Sequence, residues 1–169
     1  MKAHTPQSSK AVLAQMVLPN QTNPGGKIHG GEIMKMMDSA AGVAAQKYAR
    51  SNVVTARVDE LIFHKPVTIG QLVTCQAQVI YTGNTSMEVF VMVEVEDLID
   101  EQESFIAQTA FFTMVSLDAN GRPQKVPPIE IDPEDAYSCK LYEEGKKRHE
   151  IIHRRKNQNL RGIKSFREE

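Results

Sequence analysis

Three kinds of group close together near the start of the chain could do chemistry: the amide of Asn23, the bare backbone of Gly30 and Gly31, and the carboxylate of Asp38. They share the stretch NPGGKIHGGEIMKMMD, residues 23–38. An amphipathic helix is expected from about residue 30, so Gly30 and Gly31 open it. The first N–H groups of a helix have no intrahelical partner, and the helix dipole adds positive charge there. Without side chains, two such N–H groups can be approached closely by an oxygen on which negative charge develops. They can equally serve only to let a loop pack tightly on a sheet. Asp38 falls about 100° from the centre of the helix's apolar stripe, at its boundary. A carboxylate there can deprotonate water, attack an electrophilic carbon itself, or stand idle on the surface. Asn23 has a donor and an acceptor, which can orient water, assist a carbonyl, or simply form the turn before Pro24.

Other candidates carry less. His29 adjoins the glycine pair and His64 reads as the cap of a strand end. His149 and His153 are spaced i, i+4 on a charged segment. They could share a metal, but no third ligand stands out, and a solvated helix face is the simpler reading. Cys75 and Cys139 fit no metal or redox spacing. No serine stands in a G-x-S-x-G elbow, and no P-loop or dinucleotide fingerprint is present.

The elements that must position these groups follow from periodicity. AVLAQMVL, residues 11–18, reads as a strand that Pro19 ends. PNQTNPGGKI, residues 19–28, is a loop. From 30 to 48, Ile33, Met37, Ala40, Ala41, Ala44 and Tyr48 form one helical stripe, and Ser51 and Asn52 end the element. The period then changes to two. Val54, Ala56, Val58 and Ile62 alternate with polar neighbours, as do Val73, Cys75, Ala77, Val79 and Tyr81. Met87, Val89, Val91, Val93 and Val95 alternate with Glu88, Glu94 and Glu96. Residues 83–86, GNTS, form a hairpin turn. Residues 104–117 are apolar on both faces, which suits the middle of a sheet. Short connections imply an antiparallel sheet, with the alanine-rich helix on one face. Prolines at 123, 127, 128 and 133 mark a linker to a charged helical tail over 133–160. Its apolar stripe, Tyr137, Leu141, Tyr142 and Ile152, is weak. The division expected is a domain over 1–128 and a helical extension over 129–169.

The 169 residues fit a single domain of ordinary size. A net charge of −1 provides no overall field to recruit nucleic acid or an anionic membrane. The start MKAHTPQSSK has no apolar core of a secretory signal, and no stretch approaches a membrane span. With two separated cysteines, a reducing, cytoplasmic setting is expected.

The order of elements, with TNPGGKIHGGEIMKMMDSAAG, resembles the hotdog-fold acyl-CoA thioesterases, in particular the YciA-like and brain acyl-CoA hydrolase group. Thr22, Asn23, Gly26, Ile28, Gly30, Gly31, Met37, Asp38 and Ala40 occupy the motif's places. Phe63, Lys65, Pro66, Gly70 and Val73 match a second part, and FFTMVSLDANGRPQKVP a third. The likeness runs over roughly residues 12–128. It implies an α+β hotdog fold: a curved antiparallel sheet of five to six strands around one long central helix. It implies hydrolysis of acyl-CoA to fatty acid and CoA, with no metal or redox cofactor. It implies catalytic roles for Asn23, Asp38, Gly30 and Gly31, with Asn23 and Asp38 meeting across a dimer interface, in a dimer or a hexameric trimer of dimers. His29 lines the site. Lys65, Thr85 and Ser86 are the candidates for holding the CoA portion. Rival readings are a hotdog enoyl-CoA hydratase and an acyl-CoA-binding module without chemistry.

Overall fold

The computed structural model describes residues 1–100 and 103–165, with side chains on the last helix described as far as Arg154, except His153. The elements run β1 (Ala11–Met16), α1 (Gly30–Ala49), β2 (Asn52–Phe63), β3 (Leu72–Thr82), β4 (Ser86–Glu96), β5 (Phe105–Leu117) and α2 (Ala136–Ser165). Short 3₁₀ turns cover Pro6–Ser9 and Pro19–Gln21. The five strands form one antiparallel sheet in the order β1-β3-β4-β5-β2. This is the hotdog arrangement, with α1 lying along one face, mainly on β3 and β4.

The core sits between α1 and that face. Met87, Val89, Val91, Val93 and Val95 alternate inward on β4 and are fully buried. Facing them are Met37, Ala40, Ala41, Ala44, Ala45 and Tyr48 of α1, also fully buried. Alanines let the helix axis come close to the strands, so the helix stripe and the valine face close on each other. β5 lies between β4 and β2, as expected of a strand apolar on both faces. Arg50, rather than Ser51 and Asn52, stops α1. It adopts a left-handed conformation (φ 53°, ψ 39°), and its N–H bonds the carbonyl of Gln46 at 2.8 Å.

Two expectations need correction. On β2, Val54 and Ile62 do not face the core and are 44% and 45% exposed, while Val58, paired with the fully buried Phe112, lies on the core side at the sheet's open edge and is 38% exposed. Register shifts fall between Thr55 and Arg57 and between Asp59 and Ile62. Each extra residue reverses which side chains point inward, so the alternation seen in the sequence does not continue through the strand. Instead Val53 and Leu61 pack against the core.

The second correction concerns the tail. It is helical, but its charged residues do not all face water. α2 lies on the outer face of the sheet, over β3 and β4. Gly145 permits the approach, because a Cβ there would stand 2.7 Å from the Cβ of Tyr81. The Arg148 guanidinium lies 3.7 Å from the ring centroid of Phe111 and pairs with Asp59, Glu60 and Glu144. His149 packs beside Tyr81 and approaches Glu88. Glu88, read as a polar neighbour on an open face, is 2% exposed and accepts a hydrogen bond from Thr113. The side chain of His153 lies outside the described residues. Among the described residues, no helix is long and apolar enough to cross a membrane.

Candidate active site

The loop before α1 is built around the side chain of Asn23. Its Oδ1 accepts hydrogen bonds from the N–H groups of Gly25 (2.9 Å) and Lys27 (3.2 Å). Gly26 sits at φ 72°, a conformation that favours glycine. The loop is then laid against the segment after β2, where the Ile28 N–H bonds the carbonyl of Val67 at 2.9 Å. The turn-forming role of Asn23 is therefore real, and it has a chemical consequence. Two backbone donors identify the oxygen and hold it, which leaves Nδ2 as the donor end of the amide.

His29 precedes the helix in an extended conformation, with its N–H on the carbonyl of Gln21. Neither the Gly30 nor the Gly31 N–H meets an acceptor among the described residues. The two glycines differ in their surroundings. A Cβ on Gly30 would stand 2.8 Å from Cε1 of Phe63, so that glycine is required by packing. A Cβ on Gly31 would meet nothing within 4 Å. No contact among the described residues explains the missing side chain of Gly31.

A cavity of about 170 Å³ opens at this helix start, and Asn23, Gly30, Ile33, Phe63, Lys65 and Gln108 lie around it. The Lys65 ammonium stands 5.0 Å from the ring centroid of Phe105. His64 closes β2 as expected: its N–H bonds the carbonyl of Ala107, and its Nε2 lies 3.4 Å from the Thr109 hydroxyl.

Asp38 is not part of this cavity. It is exposed, two turns along α1, and eight helical residues span about 12 Å. Its Oδ1 accepts a 2.6 Å hydrogen bond from the hydroxyl of Thr55 on β2. Thr85 and Ser86 lie further off. Gln108 pairs with Val93 on β4, and the seven residues back to Ser86 span about 23 Å. The structure thus gathers Asn23, Gly30 and Lys65 at one cavity, does not place Gly31 or His29, the chain neighbours of Gly30, among its lining residues, and leaves Asp38, Thr85 and Ser86 outside it within a single chain. No group of three or more His, Cys, Asp or Glu able to hold a metal occurs among the described residues.

A family model described as Thioesterase superfamily matches residues 25–100, which include the glycine pair and Asp38. An uncharacterized acyl-CoA thioester hydrolase, YkhA of Bacillus subtilis (strain 168), is 36% identical over 129 residues, covering 76% of this chain and 74% of that protein. The chain belongs to the hotdog-fold thioesterase superfamily. Within that superfamily, the cytosolic acyl coenzyme A thioester hydrolase of Mus musculus is 37% identical over 147 residues, 86% of this chain. The present chain spans only 38% of that longer protein. A crystal structure of an apo-hexameric acyl-CoA thioesterase superposes with a TM-score of 0.85 at 34% identity, covering 92% of this chain and 97% of the other. An acyl-CoA hydrolase from Staphylococcus aureus, solved with butyryl coenzyme A, coenzyme A and coenzyme A disulfide, gives 0.86 at 29% identity, covering 97% and 98%.

Three residues of this superfamily member go unnoticed when the sequence is read for chemistry. Thr55 is 17 positions from Asp38 on another element, so nothing local links them. Phe63 is legible as a residue of the family's second motif part, but nothing in the sequence links it to Gly30. Gln108 did leave a signal: it stands in the alternation of Ala110, Phe112 and Met114, where a core residue belongs.

Proposed function

We propose that this chain hydrolyses the thioester of acyl-CoA, releasing fatty acid and free CoA. The observation that carries this reading is the pair of bare N–H groups at Gly30 and Gly31. Gly30 lines a cavity together with Asn23, Gly31 follows it in the same helix turn, and among the described residues the second glycine has no packing reason to lack a side chain. A thioester carbonyl oxygen seated on those N–H groups is stabilised as it takes on negative charge, an effect of about 3 kcal/mol for one such donor. Nδ2 of Asn23 adds a donor to the same oxygen or to the attacking water. His29 lines the entrance.

Asp38 drives the attack. At about 12 Å along the helix from Gly30 it serves a second copy's cavity rather than its own, so the active unit contains at least two chains. Thr55 occupies Oδ1 of the carboxylate and leaves Oδ2 to act. The carboxylate either takes a proton from water or attacks the carbonyl carbon to form an anhydride that water then opens. A single turnover in ¹⁸O water tests the anhydride route, in which CoA thiolate leaves as the anhydride forms: opened by water at the Asp38 carbon, it leaves an Asp38 oxygen in the fatty acid and ¹⁸O in the protein, whereas direct attack by water labels the fatty acid alone. Neither route requires a metal or a redox cofactor.

Self-association is supported by the open β2 edge with Val54, Val58, Ile62 and Phe63 exposed beside it, and by the hexameric neighbour. A dimer, or three dimers joined, completes the site. Lys65 meets the CoA portion near the cavity, and Thr85 and Ser86 meet its nucleotide. The mouse relative is named cytosolic, and we assign this chain to the cytoplasm on the same basis.

Thiol release from acyl-CoAs of graded chain length tests the reading. Release that depends on Asp38 is the expected result. Binding without thiol release would leave only a carrier, and water addition to an enoyl-CoA with an intact thioester would make the protein a hydratase.

A further inference from the structure

Arg148 belongs to the tail helix, yet what it grips is the edge strand. α2 comes close enough to place it because Gly145 has no side chain to meet Tyr81. The Arg148 side chain is 10% exposed, and its guanidinium lies over the ring of Phe111. From there it reaches the carboxylates of two consecutive β2 residues, Asp59 and Glu60. Arg57 takes the other oxygen of Asp59 at 3.2 Å. An apolar side chain would pack on Phe111 with less to desolvate, so packing alone does not account for an arginine here.

The place it grips is irregular. Glu60 sits at φ 49°, a left-handed conformation that residues with side chains seldom adopt. Asp59 to Ile62 is three steps along β2, and the paired stretch Phe111 to Thr109 is two along β5. The extra residue reverses the faces of the strand beyond it. In a regular strand Phe63, four residues after Asp59, would share the face of Asp59, on the α2 side. With the bulge it pairs instead with the buried Gln108, and its ring abuts Gly30 and lines the cavity. The bulge is thus where a contact on the α2 face of the sheet sets a side chain on the α1 face.

We propose that Arg148 is a positioning residue of the site: by holding Asp59 and Glu60 it fixes the bulge that turns Phe63 onto Gly30. Its effect on the reaction passes through the Phe63 ring, which sets the front of α1 where the amides of Gly30 and Gly31 meet the carbonyl oxygen. The inference rests on the acyl-CoA reading above and gives the tail helix a part in it.

Arg148→Met keeps an unbranched apolar stem for Phe111 and gives up both carboxylates. In thiol release from the best acyl-CoA of the graded series, kcat should fall about tenfold, the scale of a small misplacement, with KM within about twofold. Amide hydrogen exchange over residues 61–64, where the His64 N–H bonds the carbonyl of Ala107, should quicken while β4 keeps its protection. Glu60→Gly in the Arg148→Met chain should regain most of kcat, because glycine adopts φ 49° without steric cost. Loss of helix docking alone would not be repaired by that glycine. If Arg148→Met does not fold, Glu60→Ala and Glu60→Gly in the otherwise wild-type chain carry the comparison. Both lack the carboxylate, and only the alanine should lose activity. A near-normal kcat for Arg148→Met, a loss that the glycine leaves untouched, or unchanged exchange over 61–64 would each overturn the assignment, as would equal rates for the two Glu60 variants. Absence of thiol release from wild type would instead overturn the hydrolase reading, with exchange over 61–64 still deciding whether Arg148 holds the strand.

Discussion

The hydroxyl of Thr55 donates to Oδ1 of Asp38 across 2.6 Å, tying the middle of the central helix to the strand at the sheet's edge. A hydroxyl bonded to a carboxylate holds it in one rotamer, and such charge-assisted contacts are worth about 1.5–3 kcal/mol. Asp38→Asn should keep the melting temperature within a few degrees of wild type and cut kcat by about a hundredfold or more. Thr55→Ala should lower kcat about tenfold through misplacement of the carboxylate, and Thr55→Ser should restore most of it. Steady-state thiol release with thermal melts checks both, and a near-normal rate for Asp38→Asn would remove that residue from the chemistry.

The two helix-opening glycines should respond differently to the same change. Gly31→Ala meets open space, so the fold should be unharmed, while the added methyl obstructs the approach to the amides and costs about a hundredfold in kcat. Gly30→Ala pushes on the ring of Phe63 and should lower the melting temperature. Phe63→Leu in the same chain should recover part of that loss. Thermal melts of the two single variants and the double variant measure the coupling.

Asn23 has two duties that substitution can separate. Asn23→Asp keeps an oxygen for the Gly25 and Lys27 N–H groups, so the loop should hold, but it loses the Nδ2 donor. Asn23→Ala loses both. Activity should fall in both variants by at least about tenfold, whereas protease resistance of the loop should fall only in Asn23→Ala.

Burial raises the pKa of Glu88 from 4.5 to about 7, against the lowering effects of the Thr113 hydrogen bond and of Arg57 and Arg148, while Asp59 adds to the rise. His149 and Tyr81 flank the same pocket of charge. Between pH 4.5 and 7 the folded protein keeps a proton on Glu88 that the unfolded chain has released. Stability from this group is therefore complete below pH 4.5 and is lost as pH rises towards 7, by roughly 3 kcal/mol at most. Glu88→Gln should remove this slope. Urea unfolding of wild type and variant at pH 5 and pH 8 should show the variant gaining relative stability at pH 8.

The exposed edge of β2 should be an assembly surface. Val58→Lys places a charge beside that edge and should shift the protein towards single chains in sedimentation. Activity should fall with the loss of the second copy that brings Asp38 to the cavity.

Legibility in the sequence varied with how local the cause was. The valine alternation of β4 and the alanine stripe of α1 each answer to a period, and both were readable. β2 was not, because two irregularities reverse its faces and nothing in its residue types announces them. α2 was legible as a helix, but its docking on the sheet was not, for a different reason. It docks through the absence of a side chain at Gly145 and through Arg148 stacked on Phe111, which no apolar stripe records. The glycine pair, Asn23 and Asp38 could be picked out as a motif, but their separation could not. That depends on helix length and on a second chain, whereas the Thr55 contact depends on sheet geometry.

The ring of Phe63 fills the space that a methyl on Gly30 would need. The two positions therefore form a single evolutionary character. A lineage that acquires a side chain at the front of this helix must shrink or displace the aromatic at the end of the edge strand, and one that keeps the aromatic keeps the glycine. Across relatives the pair should covary, while Gly31, free of any such internal constraint, should be retained only where turnover is under selection.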